Sequence, residues 1–319
     1  MIAVSAPVRV RDRLRSAADG PLRIVHRGPA AVYLAVGGEC VGVTARHAVA
    51  VPCALHTRLG RLEVSRAELR DGVLHLDGEP LRIRRFTDTR VPPLPAGALS
   101  RPGTSRADGP AGALARPGTS RADGTGRPAE PGAATRPATG TTSAIAVLPG
   151  RVCPATVPGL VGRGDGLTPL GDDVLCGWLA LHRAAGAATP AVDAAVRAHL
   201  HRTTLLSATL LRCALDGEVV DRFARFVAAL GSPAEQHATA ALTAVGHTSG
   251  AGMLHGARLA LRELHPPRRA GRRHDPAQHD HAQHDHARHD PAQYDPGRLD
   301  PAQHDHRPPA DEHPGGTAA

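Results

Sequence analysis

The sequence predicts an α+β protein: a small β-rich N-terminal domain followed by an antiparallel α-helical domain, with a disordered linker and a disordered C-terminal tail. Three observations carry that expectation. Short β-prone runs alternate with turn signals between residues 22 and 90. Amphipathic segments with proline-marked starts and glycine-marked stops occupy 172–265. At 92–144 and again at 267–319 the composition leaves almost nothing to bury, so neither stretch can offset the entropy of ordering itself.

Within residues 1–91, "AAVYLAV" and "CVGVTA" flank a GGE turn, and "GVLHL" and "PLRIRRF" flank a DGE turn. Gly-Gly and Asp-Gly supply the two positive φ angles of a tight hairpin, so each pair reads as a β-hairpin. The run "LEVS" at 62–65 reads as a further strand. From 92 to 144 the chain is dominated by Pro, Gly, Arg, Ser and Thr, and "RPGTSRADG" occurs twice, at 101–109 and 116–124. Two copies make no solenoid, and tandem duplication in a linker accounts for them.

The helical domain spans 145–266. "DDVLCGWLALHRAAG" places Val174, Leu175, Trp178, Leu179 and Leu181 at helical spacing and stops at Gly186. "TPAVDAAVRAHLHRTTLLSATLLRCALDG" opens with Thr189 as N-cap and Pro190 at the first position, and closes at Gly217. The β-branched "HRTT" in its middle divides it into two helices. "EVVDRFARFVAALG" and "SPAEQHATAALTAVG" follow, and "AGMLHGARLALRELH" runs until Pro266 and Pro267. Short connections make consecutive helices antiparallel. Beyond them a polar pentapeptide array begins at His274.

Composition excludes several function classes. The chain has no lysine, its 38 positive charges are all arginine, and the formal net charge is +8. The arginines are scattered and only six residues are aromatic, so neither the basic stripe nor the stacking surface of a nucleic-acid binder is present. Cys40, Cys53, Cys153, Cys176 and Cys213 form no CxxC pair, so zinc-finger spacing is absent, and an odd count in a chain of this length is not the pattern of a disulfide framework. No window reaches the ~18 apolar residues of a membrane span. A cytoplasmic protein without a membrane partner is expected.

Chemistry concentrates in two loops. In "GRGDGLTPLGDD", residues 162–173, Gly164, Gly166 and Gly171 let backbone N–H groups approach a ligand, and Thr168 adds a hydroxyl. A helix start behind such a loop favours a phosphate or carboxylate. Asp172 and Asp173 would bind magnesium through waters if a phosphate supplied further ligands. The same residues would equally make a turn and a helix cap.

The second loop, "GHTSGAGMLHG" at 246–256, repeats the pattern. Thr248 or Ser249 caps a helix, Gly250 keeps its first turn slim, and His247 stands outside the helix start as anion donor or proton carrier. If the two starts converge they form an anion pocket. Thr203, Thr204, Ser207 and Thr209 make a hydroxyl-rich patch expected to bond back to the preceding turn. There is no P-loop, no HExxH motif and no nucleophile elbow. In the tail, His274, His279, His281, His284 and His286 are candidate ligands for nickel or zinc, whether incidental or for metal handling.

With these two loops in this order, the chain resembles domain of unknown function 2877, the family that includes the AllH-type subunit of bacterial oxamate carbamoyltransferase. The family pattern is a G-x-G-P-G-L-T-P-S-G-D-D loop leading into a helix, then G-H-x-S-G. The likeness covers 145–265 well and 20–95 weakly. It implies a subunit associated with carbamoyl transfer, interconverting oxalurate with oxamate and carbamoyl phosphate in purine (allantoin) catabolism, together with partner carbamoyltransferase subunits. It also implies a ligand site on Gly164, Gly166, Thr168, Gly171, Asp172 and Asp173 with His247, Ser249 and Gly250; the chemistry of these side chains, rather than the resemblance, makes His247, Asp172 and Asp173 the candidate catalytic residues. On this reading Asp172→Ala abolishes ligand binding with the fold intact. Two residues depart from the pattern: Asp165 replaces proline and Leu170 replaces serine. A non-enzymatic ligand sensor or partner protein of the same fold is the competing expectation.

Overall fold

A computed structural model describes residues 1–99 and 150–265. Nine strands form one mixed sheet: β1 (Ile2–Ala6), β2 (Gly20–Pro21), β3 (Ile24–Arg27), β4 (Ala31–Val36), β5 (Glu39–Thr44), β6 (Ala54–Thr57), β7 (Ala67–Arg70), β8 (Val73–Leu76) and β9 (Glu79–Phe86). Their order is β2-β7-β8-β9-β1-β6-β5-β4-β3, with β1 parallel to β9 and β5 parallel to β6. Both expected hairpins form. Gly37 and Gly38 turn β4 into β5 at φ +54° and +80°, and Asp77 and Gly78 turn β8 into β9 at +49° and +88°.

Two features of this half differ from expectation. "LEVS" is a loop: Leu62 and Val64 bury their side chains in the sheet core, but the strand is the following segment, Ala67–Arg70. Alternating burial satisfies the hydrophobic side chains without ladder pairing. The register of β7 is fixed instead by the Asp71–Gly72 turn into β8 and by Asp77, whose carboxylate accepts the Ser65 and Arg66 N–H groups. The N-terminus also contributes an internal strand, β1, and helix α1 (Val8–Ser16), whose Val10 and Leu14 join Leu34, Leu55, Leu69 and Leu74 in the core.

The helical half contains a short α2 (Val157–Leu160), then α3 (Leu170–Ala184), α4 (Pro190–His199), α5 (Leu205–Leu215), α6 (Asp221–Ala229), α7 (Glu235–Thr243) and α8 (Ser249–Leu264). Proline starts and glycine stops act as expected at three helices: Thr189 and Pro190 open α4, while Gly186 and Gly217 take φ of +66° and +77° behind α3 and α5; α7 instead starts at Glu235, a turn after Ser232 and Pro233, and ends at Thr243, before Gly246. "HRTT" does divide the long segment. A 3-10 turn over Leu200–Arg202 leads to extended Thr203, and the Thr204 hydroxyl accepts the Ser207 N–H to cap α5.

Helices α3 and α8 pack backbone against backbone. A Cβ on Gly177 would lie 2.0 Å from the Met253 carbonyl oxygen, and one on Gly256 only 1.9 Å from that of Val174. Further along the pair, Glu263 accepts the Trp178 indole N–H at 3.1 Å. Around this contact Leu175, Leu179, Leu211, Phe223 and Ala257 form the helical core.

Sheet and helices meet through α5. The Cys40 N–H donates to Thr209 Oγ1 at 2.9 Å, and Cys40, Cys53, Leu206 and Cys213 form a small apolar cluster at the seam. Val91, Leu94 and Ala98 pack on the helical core. The duplicated "RPGTSRADG" and the tail histidines lie outside the described residues. No helix among the described residues is long and apolar enough to cross a membrane.

Candidate functional site

The first loop leads into α3 through Pro169, and neither aspartate serves as the cap; both stand in the helix's first turn. Their environments diverge. Asp172 is buried and fully engaged by the protein. Its Oδ1 accepts the Gly162 N–H at 2.9 Å, and its Oδ2 accepts the hydroxyls of Thr203 at 2.5 Å and Ser207 at 2.7 Å. Burial raises its pKa, against the pull of those three donors.

Asp173 is also buried, but its Oδ2 has no hydrogen-bond partner. Burial pushes its carboxyl well above the usual carboxylate range; the charge of Asp172 adds to this, while the Ser249 and Thr168 hydroxyls oppose it. Such a group tends towards the neutral acid, which both donates and accepts.

The two motif loops converge at this point. Thr168 Oγ1 and Ser249 Oγ lie 2.8 Å apart, joining the first loop to the first turn of α8. Thr168, Asp173, Ser249 and Gly246 all line one cavity of about 220 Å³. The remainder of its wall is mostly apolar, including Val51, Leu210, Val220, Phe223 and Met253, and Tyr33 and Thr44 reach it from the sheet. Burial raises the Tyr33 phenol and the Cys176 thiol, which also lines the cavity, so both stay uncharged. Glu218 is the second acid on the wall; no arginine or histidine is among the lining residues.

Other residues expected at the site are placed elsewhere. His247 is exposed and does not line the cavity. Gly164, Asp165 and Gly166 are exposed as well, with Gly164 at φ +112° making the turn. Gly171 and Gly250 permit close packing: a Cβ would come within 2.1 Å of the Leu160 oxygen and 1.9 Å of the Leu242 oxygen.

Several of the backbone donors at the two helix starts are already paired. The Gly171 N–H donates to Arg163 O, Asp172 to Pro169 O, Gly250 to Val245 O and Gly252 to Thr248 O. Leu170, in place of the pattern's serine, is buried and abuts Gly252 across the helix pair. Both departures therefore act away from the cavity wall.

The aspartates do not present two open carboxylates to a magnesium ion, because both Asp172 oxygens accept hydrogen bonds from the protein. Among the described residues no cluster of three His, Cys, Asp or Glu is placed to hold a metal. In the hydroxyl patch only Thr209 bonds back one turn, to Leu205 O; Thr203 and Ser207 hold Asp172, and Thr204 reaches Leu167 O. Tyr33, Thr44, Glu218 and Phe223 were not expected at the site. Nothing local marks them, since they arrive from the sheet, from the segment between α5 and α6, and from α6 itself.

Residues 160–261 match the family model described as oxamate carbamoyltransferase subunit AllH. Comparison with the curated proteins and with the solved structures finds no match. The resemblance drawn from the two loops is thereby borne out, and the helical region is AllH-like.

Proposed function

Starting from an AllH-like helical region, we propose that this chain is a subunit associated with carbamoyl transfer between carbamoyl phosphate and oxamate. In this reading its cavity receives the carboxamide or carbamoyl end of the ligand. The observation that carries the proposal is the meeting of the two family motifs at the Thr168–Ser249 hydrogen bond beside Asp173. A primary amide has two N–H donors and one carbonyl acceptor. The unpartnered Asp173 oxygen accepts an N–H, and the hydroxyl of the Thr168–Ser249 pair whose proton is not spent on the other donates to the carbonyl.

An acidic, apolar wall suits a neutral amide and disfavours a bare phosphate, because an anion would lose hydration without gaining a positive partner. Asp172 is a positioning residue on this reading, holding the first loop against α5. The exposed His247 is given no part. Partner subunits carry the remainder of the chemistry.

The test is reconstitution with the partner carbamoyltransferase subunits, following carbamoyl transfer to oxamate. Ser249→Ala and Asp173→Asn should each slow the reaction by about tenfold or more, each removing a hydrogen bond to the reacting amide, with the thermal midpoint kept in Ser249→Ala and no lower than wild type in Asp173→Asn. Wild-type rates in both variants would remove the cavity from the reaction. Ligand sensing by a non-enzymatic homologue would be the reading that remains.

A further inference from the structure

A second cavity, of about 670 Å³, adjoins the first and shares Thr44, Ala48, Val51 and Val219 with it. Its floor is the sheet. Strand register aligns Arg85, Ser5, His56 and Thr44 in one row across β9, β1, β6 and β5, and all four line the cavity. Thr44 Oγ1 lies 2.9 Å from His56 Nδ1, which anchors the ring. Arg222 and Arg225 enter from α6, and Arg46 and His47 from the loop after β5.

Four arginines thus face two aspartates, Asp88 and Asp221. Asp221 lies 3.5 Å from Arg225 through Oδ2, while its Oδ1 is buried without a hydrogen-bond partner, and Asp88 is held at 3.2 Å by Arg90, which is not a lining residue. Arg46 donates to His47 rather than to a carboxylate. Arg85 and Arg222 form no ion pair with any described residue. Elsewhere in the fold Arg9, Arg13 and Arg183 all reach carboxylates across elements. Two unpaired guanidinium groups in one concave cleft, over a row of polar side chains, are a charge arrangement without an internal partner.

We propose that this cleft binds a small organic oxyanion, its phosphate or carboxylate head held by Arg85 and Arg222 above Ser5 and His56. The planar guanidinium fork matches both heads in bidentate geometry, and concave walls strengthen the local field. The inference rests on the cleft's own residues and stands whether or not the chain takes part in carbamoyl transfer. It places anion recognition on the sheet and α6, away from the glycine-rich loops.

The experiment is calorimetric titration of the full chain with inorganic pyrophosphate and, separately, with oxamate, at fixed ionic strength. Arg85→Gln, Arg222→Gln and the double substitution are compared with Arg61→Gln, which removes an exposed arginine paired with Glu63. The double variant should bind at least one of the two anions about tenfold or more weakly, the scale of losing bidentate contacts, while Arg61→Gln binds as wild type. Sensitivity to pyrophosphate alone identifies a phosphate head, and to oxamate alone a carboxylate head. Binding to arginines outside the cleft would persist in every variant. Equal isotherms for wild type and for the cleft variants that keep the wild-type thermal midpoint would therefore overturn the proposal.

Discussion

Adjacent aspartates with the same sequence neighbourhood acquire opposite tasks because consecutive helical positions point about 100° apart. Asp172 meets three donors from three segments, whereas Asp173 meets a cavity. Asp172→Ala would leave a buried N–H and two hydroxyls without their acceptor and should cost about 3 kcal/mol in urea denaturation, so that variant reports on the fold before it reports on a ligand. Asp173 behaves differently with pH. Its folded pKa is raised above the unfolded value of 3.8, so from about pH 4 upward the unfolded chain gives up the proton first. Stability from this group is therefore highest in acid and declines as pH rises towards the folded pKa. Asp173→Asn removes the decline. Its stability relative to wild type should grow from about pH 4 upward until the folded pKa is passed, and a flat difference would show that burial does not disfavour the Asp173 anion.

At the scale of elements, the α3–α8 pair sets the site, because Asp173 lies on one helix and Ser249 on the other. Glycine at 177 and 256 lets the two backbones touch. Alanine would favour an isolated helix by about 1 kcal/mol, yet its Cβ at position 256 would stand 1.9 Å from a carbonyl oxygen. Sterics win. Gly256→Ala should destabilise the protein by about 2 kcal/mol net, read from the denaturation midpoint. Separating the helices should also break the Thr168–Ser249 contact and open the cavity. A neutral or stabilising substitution would mean that the helices pack less closely than described.

At the scale of the molecule, the cavity exists only because sheet and helices share a seam. Arg9, on α1, reaches Asp216 at 2.7 Å and Glu218 at 3.0 Å across that seam and donates to Cys213 Sγ at 2.7 Å. Burial raises the Cys213 thiol to about 12 despite the nearby guanidinium, so this contact involves a neutral sulfur. Glu218, largely buried, also lines the cavity. Arg9→Met keeps much of the packing and strands Glu218, so it should cost about 2 kcal/mol, measured by urea denaturation. Adding Glu218→Gln should recover part of the loss. No recovery would show that Arg9 acts through packing alone.

The sequence by itself determined most of the local structure. Gly-Gly and Asp-Gly define two hairpins because few other residues tolerate consecutive positive φ, and Thr-Pro starts with glycine stops define helices because they satisfy or end the backbone ladder. The two glycine-rich loops were legible as the site's framework for the same reason. The strand after "LEVS" was not, since burial alone does not reveal which residues pair. Only the tertiary structure decided which aspartate faces the cavity, that the Gly171 and Gly250 N–H groups are already paired, and that His247 stays outside. It also decided that Tyr33, Glu218 and the Arg85–Arg222 cleft belong near the motifs. These choices depend on contacts between residues far apart in the chain, about which neither periodicity nor turn chemistry carries information.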